Sequence, residues 1–333
     1  MDWSKGYTAT YYMTLVDAAT WRDIDTVRIT GGSIKRELSG LRDSADIDCR
    51  GFEGEHWIRV YLDPRQNGAS AHEALFTGLA TTPKVSVKGS YADVAVECYS
   101  VLKPCEDILL ERGWYAAAGR SGGEIIKELL SVTPAPVEIA EGAPTLTAYI
   151  IAEDGETNLS MIDRILQAMN WRIRITGAGT IQVVPKPIET SIAFNPIGFD
   201  VVEPEIDIER DWFSAPNVFM AVSDDLTAIA KDESDGPLSI SERGREIWKA
   251  DTGVDLSDGE SIGEYAMRML KESQTVTRTA SYARRYIRDL LPGDLVDMQI
   301  ADVGMVGAYR IESQTVELGH GARTSEIAAE VVG

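Results

Sequence analysis

At 333 residues and 36.4 kDa the chain is longer than a single hydrophobic core usually grows, so two or three domains are expected. Hydrophobic residues make up 44% and charged residues 26%, which excludes a disordered or collagenous chain. The 53 acidic against 32 basic side chains leave a net charge of −21, the wrong sign for gripping phosphates, which argues against specific nucleic-acid binding.

The opening "MDWSKGYTATYYMTLV" has neither the basic nor the apolar region of a targeting segment, and no apolar run approaches the ~20 residues a membrane helix requires. Folding in a cytoplasm without membrane insertion is expected. Cys49, Cys98 and Cys105 match neither a disulfide framework nor a zinc site and read as reduced thiols. From Tyr7 to Leu102, short alternating segments such as "HWIRVYLD" and "ADVAVECYSVL", separated by turns, predict an antiparallel sheet or small barrel. In "HWIRVYLD", Ile58, Val60 and Leu62 form an aliphatic face opposite Trp57, Arg59 and Tyr61, the pattern of a strand with one core side.

After Pro104 the period changes. Ile125, Ile126, Leu129 and Leu130 predict a helix over 121–132, opened by an S-x-x-E capping box of Ser121 and Glu124. A second helix is predicted from Asn158 to Met169 with Thr157 as its N-cap, followed by "WRIRIT" and "TIQVVP" as a hairpin around "GAG". From Ile188 the chain is β-rich again, interrupted by a helix that starts at Ser261 with a second capping box, Ser261 and Glu264. The expected fold class is α+β, mostly β, with two β domains over 1–104 and 191–333 flanking a small α+β unit over 105–190.

No motif supplies convincing catalytic chemistry. "GRSGG", Gly119–Gly123, matches G-x-S-x-G, and a serine hydrolase using Ser121 and His320 is the alternative to weigh. An elbow of that kind belongs to a parallel sheet of βα units, whereas the preceding hundred residues read as antiparallel. The three histidines are scattered, and "DTGVDLSDGE" offers no calcium-loop register, so neither a metal nor a cofactor is expected. A carbohydrate- or wall-binding module would need Trp57, Trp114, Trp171, Trp212 and Trp248 on one exposed face; their scatter suggests packing instead. Arg284, Arg285 and Arg288 form a basic cluster that could pair with carboxylates of a neighbouring subunit, or simply sit solvated on an edge strand. In "LLPGDLVDMQI", Pro292 and Gly293 suit the central positions of a tight turn and Asp294 can bond local backbone.

That turn, with the following "GAYRIESQTVEL" and "TSEIAAEVV", resembles the C-terminal end of phage tail baseplate hub proteins, the late-control-D-like hubs of contractile tails and phage-derived particles. "ALFTGLATTPKVSVKGSYADVAVECYSVLKP", "GWYAAAGRSGGEIIKELLSV", "DGETNLSMIDRILQAMNWRIRITGAGTIQVVPKP", "RDWFSAPNVFMAV" and "GESIGEYAMRMLKESQTVTRTASY" resemble further segments in the family's order. The resemblance implies two tube-like antiparallel β-barrel domains, a homotrimer and a non-enzymatic symmetry adaptor. It would join a hexameric tail tube to a trimeric spike or tip, beside a tape-measure protein and other baseplate components, with an acidic lumen that repels DNA. The implied location is a virion or phage-tail-like particle assembled in the bacterial host cytoplasm. No lysozyme-like or spike segment is recognised, so wall cutting or piercing is expected on another chain.

Overall fold

The computed structural model describes the chain except residues 4, 89–90, 187–190, 194–201, 210–211, 224–225, 255–259, 275–277, 301–304, 320 and 332–333. Strands dominate, mostly in antiparallel pairs, and five short helices interrupt them among the described residues. The α+β, mostly β reading holds.

The N-terminal strands pair as the alternation requires. Thr8–Asp17 lies antiparallel to both Arg22–Val27 and His56–Gln66, and Glu73–Lys88 pairs with His56–Gln66 and Tyr91–Ser100. Met13, Ile34, Ile47, Ile58, Val60 and Leu62 fill the space inside the curved sheet. Here the strand His56–Gln66 departs from expectation, because Arg59 and Tyr61 are buried as well. The hairpin turn Gly177–Gly179 docks on that outer face: Arg59 Nη2 donates to Ala178 O at 3.2 Å and Thr77 Oγ1 to Gly177 O at 2.8 Å. A Cβ on Gly177 would stand 1.7 Å from Ala74 O, so this approach requires glycine.

The α+β unit packs the helices Gly122–Leu129 and Asn158–Met169 through Ile125, Ile126, Met161, Ile162 and Ile165. Trp171–Ile175 and Ile181–Pro185 form the expected hairpin, and Val137–Ile139 adds a parallel strand that the sequence pattern did not announce.

The larger correction concerns closure. The β regions do not form two closed barrels; their strands belong to one open sheet running from Arg22–Val27 at one end to Val202–Glu209 at the other. The cause is the length of Met305–Glu317. Its first half pairs with Leu295–Ile300 and its second half, Ser313–Glu317, pairs on the same edge with Glu37–Ser33, while Arg323–Glu330 holds the other edge. A bulge between Ile311 and Ser313 falls where the partner changes. Tyr286, Val316 and Leu318 consequently join the N-terminal core.

The helix foreseen at Ser261 brings strands with it. Val218–Ser223, Leu226–Lys231 and Trp248–Thr252 form a separate three-stranded sheet, covered on one face by the helix Ile262–Ser273 through Phe219, Ala221, Ala266 and Leu270.

Candidate functional site

The proline-glycine turn lies where the α+β unit meets the seam between the two β regions. Asp294 N–H donates to Leu291 O at 3.0 Å, and Leu291 N–H donates back to Asp294 Oδ2 at 2.8 Å. Pro292 and Gly293 thus occupy the two central positions, and Gly293 takes φ +93°, the left-handed conformation glycine adopts without strain. The turn is tied to Met305–Glu317 by Gly293 N–H to Ile311 O at 2.6 Å and Ile311 N–H to Asp294 O at 3.0 Å. From the α+β unit, Arg172 Nη1 donates to Pro292 O at 3.2 Å, and Arg174 reaches Asp294 Oδ1 at 3.3 Å. Burial pushes the Asp294 carboxyl above its usual range, against the opposing pull of the Leu291 amide and Arg174.

Beside the turn a buried polar network crosses the seam. Arg284 Nε donates to Glu326 Oε2 at 2.9 Å, its Nη2 meets Glu326 Oε1, and its Nη1 donates to Arg285 O at 2.7 Å. Gln314 Nε2 donates to Glu326 Oε1 at 2.8 Å and to Leu290 O at 2.9 Å, while Arg36 donates to Gln314 Oε1 and Leu75 O. Neither side chain of the Arg284–Glu326 pair is exposed to solvent. Burial alone would lower the Arg284 pKa, but Glu326 outweighs it and raises it.

The three arginines singled out in the sequence therefore separate. Arg284 is sealed inside its own chain and cannot reach a neighbouring subunit, because its partner Glu326 lies on the adjacent strand. Arg288 is half-exposed and pairs with Glu73 at 3.3 Å and Asp289 at 3.2 Å, and the partly exposed Arg285 lies against Gly6. Only these last two have surface to offer a subunit contact.

Ser121 is the N-cap residue of Gly122–Leu129 in position, at φ −62° and ψ 123°, but it makes no side-chain capping hydrogen bond, so the expected box with Glu124 does not form. Nor is it a strained nucleophile elbow. The preceding strand Tyr115–Ala116 is two residues long and antiparallel to Ile150–Ile151. His320 and much of "DTGVDLSDGE" lie outside the described residues.

Trp57, Trp114 and Trp171 pack on the core of the α+β unit, whereas Trp212 and Trp248 are exposed elsewhere, so the five make no common binding face. All three cysteines are buried, which pushes Cys49 up to about 11 and Cys105 up to about 12. Among the described residues no group of His, Cys, Asp and Glu could hold a metal, and no helix is long and apolar enough to cross a membrane.

No protein-family model matches the sequence, and no curated protein does. Solved structures do match. The chain superposes on a tail protein from Neisseria meningitidis MC58 with a TM-score of 0.69 and 15% identity, over 97% of each chain. It matches the 43 kDa tail protein of prophage MuSo2 from Shewanella oneidensis with a TM-score of 0.67 and 14% identity, over 98% of this chain and 96% of that one. A third match, at TM-score 0.52 and 12% identity over 92% of this chain and 74% of the other, is E. coli c3393, a component of the type VI secretion system with structural similarity to the T4 bacteriophage tail proteins gp27 and gp5. At these identities the likeness establishes the fold, which is that of phage tail proteins.

Proposed function

We propose that the chain is a non-enzymatic structural component of a phage tail or tail-derived particle, acting as the baseplate hub. In this reading three copies form a ring that joins a hexameric tail tube to a trimeric spike or tip. The observation that carries it is the open sheet. Its two ends, Arg22–Val27 and Val202–Glu209, have no outer strand partner among the described residues, and strands from neighbouring subunits would satisfy those edges. A likeness to tail proteins along almost the whole chain supports the same conclusion.

The charges on those edges bear on how the ring closes. Asp23 and Glu203 are held by Arg59 and Arg323 of the same chain, which leaves Asp25 on one edge and Glu205, Asp207 and Glu209 on the other. Like charges brought together oppose edge-to-edge pairing of free chains. Closure on a tube or spike template, with the isolated chain monomeric, follows from this. The net charge of −21 suits a lumen along which DNA and a tape-measure protein slide without binding. Light scattering on the purified chain, alone and mixed with its tube and spike proteins, is the test. A monomer driven to a trimer by either partner is expected; a trimer of the chain alone would keep the ring but remove the need for a template, and a monomer indifferent to both partners overturns the proposal.

A further inference from the structure

Outside the turn itself, one cleft breaks the charge pattern of the molecule. It has a volume of about 730 Å³ and is bordered by the segment Glu37–Arg42, the end of the helix Asn158–Met169, Trp171–Arg172, Lys186, Gly293 and Arg310. Four cationic side chains line it, Arg42, Arg172, Lys186 and Arg310, against two carboxylates, Glu37 and Asp163. In a chain with 21 more acids than bases this is a local reversal of sign.

The cations are also unmatched. Several arginines elsewhere are held by carboxylates, such as Arg59 by Asp23, Arg164 by Glu156, Arg268 by Glu260 and Arg323 by Glu203, whereas the buried Arg36 bonds an amide and a carbonyl. Among the described residues none of the four in the cleft has an ion-pair partner. Arg172 is the extreme case. It is 4% exposed, its Nε and Nη2 are buried without a hydrogen-bond partner, and the nearby Asp294 is already engaged by Arg174. Burial lowers its pKa, and the charges of Arg174 and Arg310 lower it further. A cation held in a medium of low polarity beneath a cleft projects its field into that cleft, and an anion brought there is attracted more strongly than at an open surface. The volume exceeds what a single inorganic anion fills, and Leu38, Leu41 and Leu166 supply apolar wall between the charges.

We propose that this cleft is a docking site for an acidic peptide segment of a partner protein, its carboxylates meeting Arg42, Lys186 and Arg310 above the buried charge of Arg172, and its apolar side chains lying on Leu41 and Leu166. The inference concerns the charges of a single chain and stands whether or not the chain trimerises.

It can be tested by calorimetric titration of the intact chain with a blocked peptide alternating Glu and Leu, its Gln–Leu counterpart, and inorganic phosphate. Saturable binding of the acidic peptide alone is expected, weakened about tenfold or more by either Lys186→Glu or Arg310→Glu and unaffected by Lys127→Glu on the exposed side of another helix. It should also weaken steeply between about 30 mM and about 300 mM salt. Equal binding of the neutral peptide, phosphate bound as tightly as the acidic peptide, equal loss with Lys127→Glu, or no saturable binding would each overturn the proposal. Trimer formation measured separately would be untouched by any of these failures.

Discussion

Removing one member of the Arg284–Glu326 pair should be among the most damaging single substitutions in the molecule. Arg284→Met takes away both guanidinium contacts to Glu326 and leaves a carboxylate with no exposed side-chain surface and no cation to balance it, facing the Gln314 amide. A buried charge stripped of its partner costs about 3–5 kcal/mol, a large part of the ~5–15 kcal/mol that holds a typical domain folded. Replacing both residues, Arg284→Met with Glu326→Leu, removes the orphaned charge. Gln314 then keeps Leu290 O and Arg36, so most of the loss should be recovered. Urea unfolding of the two single variants and the double variant, followed by circular dichroism, measures this directly. A cost below about 1 kcal/mol for Arg284→Met, or a double variant as unstable as the sum of the singles, would refute the view that the pair is sealed within one chain.

Gly293→Ala should destabilise by about 3 kcal/mol or more, because alanine is strained at φ +93° and its Cβ would fall 1.4 Å from Arg172 Nη1; thermal unfolding reads this out. Asp43 is raised from 3.8 to about 6, chiefly by burial and against the pull of Arg36. The folded state thus holds a proton that the unfolded chain has released between about pH 4 and pH 6, so this group's contribution falls by about 3 kcal/mol as pH rises through that window. Asp43→Asn should flatten the corresponding part of the stability profile. Ser261→Ala loses a formed capping box and should cost about 1 kcal/mol, whereas Ser121→Ala, which removes no capping bond, should be close to neutral in the same denaturation assay.

The parts of the fold that were legible are those written in local pattern. Thr157 caps its helix through Ser160, and Ser261 and Glu264 form the box their spacing announces. Ser121 and Glu124 share that spacing without forming the box, since such a signal states compatibility and not commitment. The seam was not legible, because pairing Glu37 with Ser313 and Ser33 with Glu317 depends on register between distant segments. Arg284 is an instructive miss. An arginine in an acidic chain reads as surface, yet Ala280, Tyr282 and Arg284 alternate along Thr279–Arg285 and all are buried. Period-two alternation alone would have placed it inside, and a buried arginine implies a carboxylate partner. The cleft around Arg172 was likewise invisible, being assembled from five separated stretches of chain.

The central claim, that the chain is a hub at the end of a tail tube, is tested most directly by electron cryomicroscopy of the assembled particle. Three copies in a ring between the tube and the spike or tip, with sheets continuous from subunit to subunit through Arg22–Val27 and Val202–Glu209, are expected. Six copies stacked along the tube, or a particle lacking the chain at that junction, would contradict it.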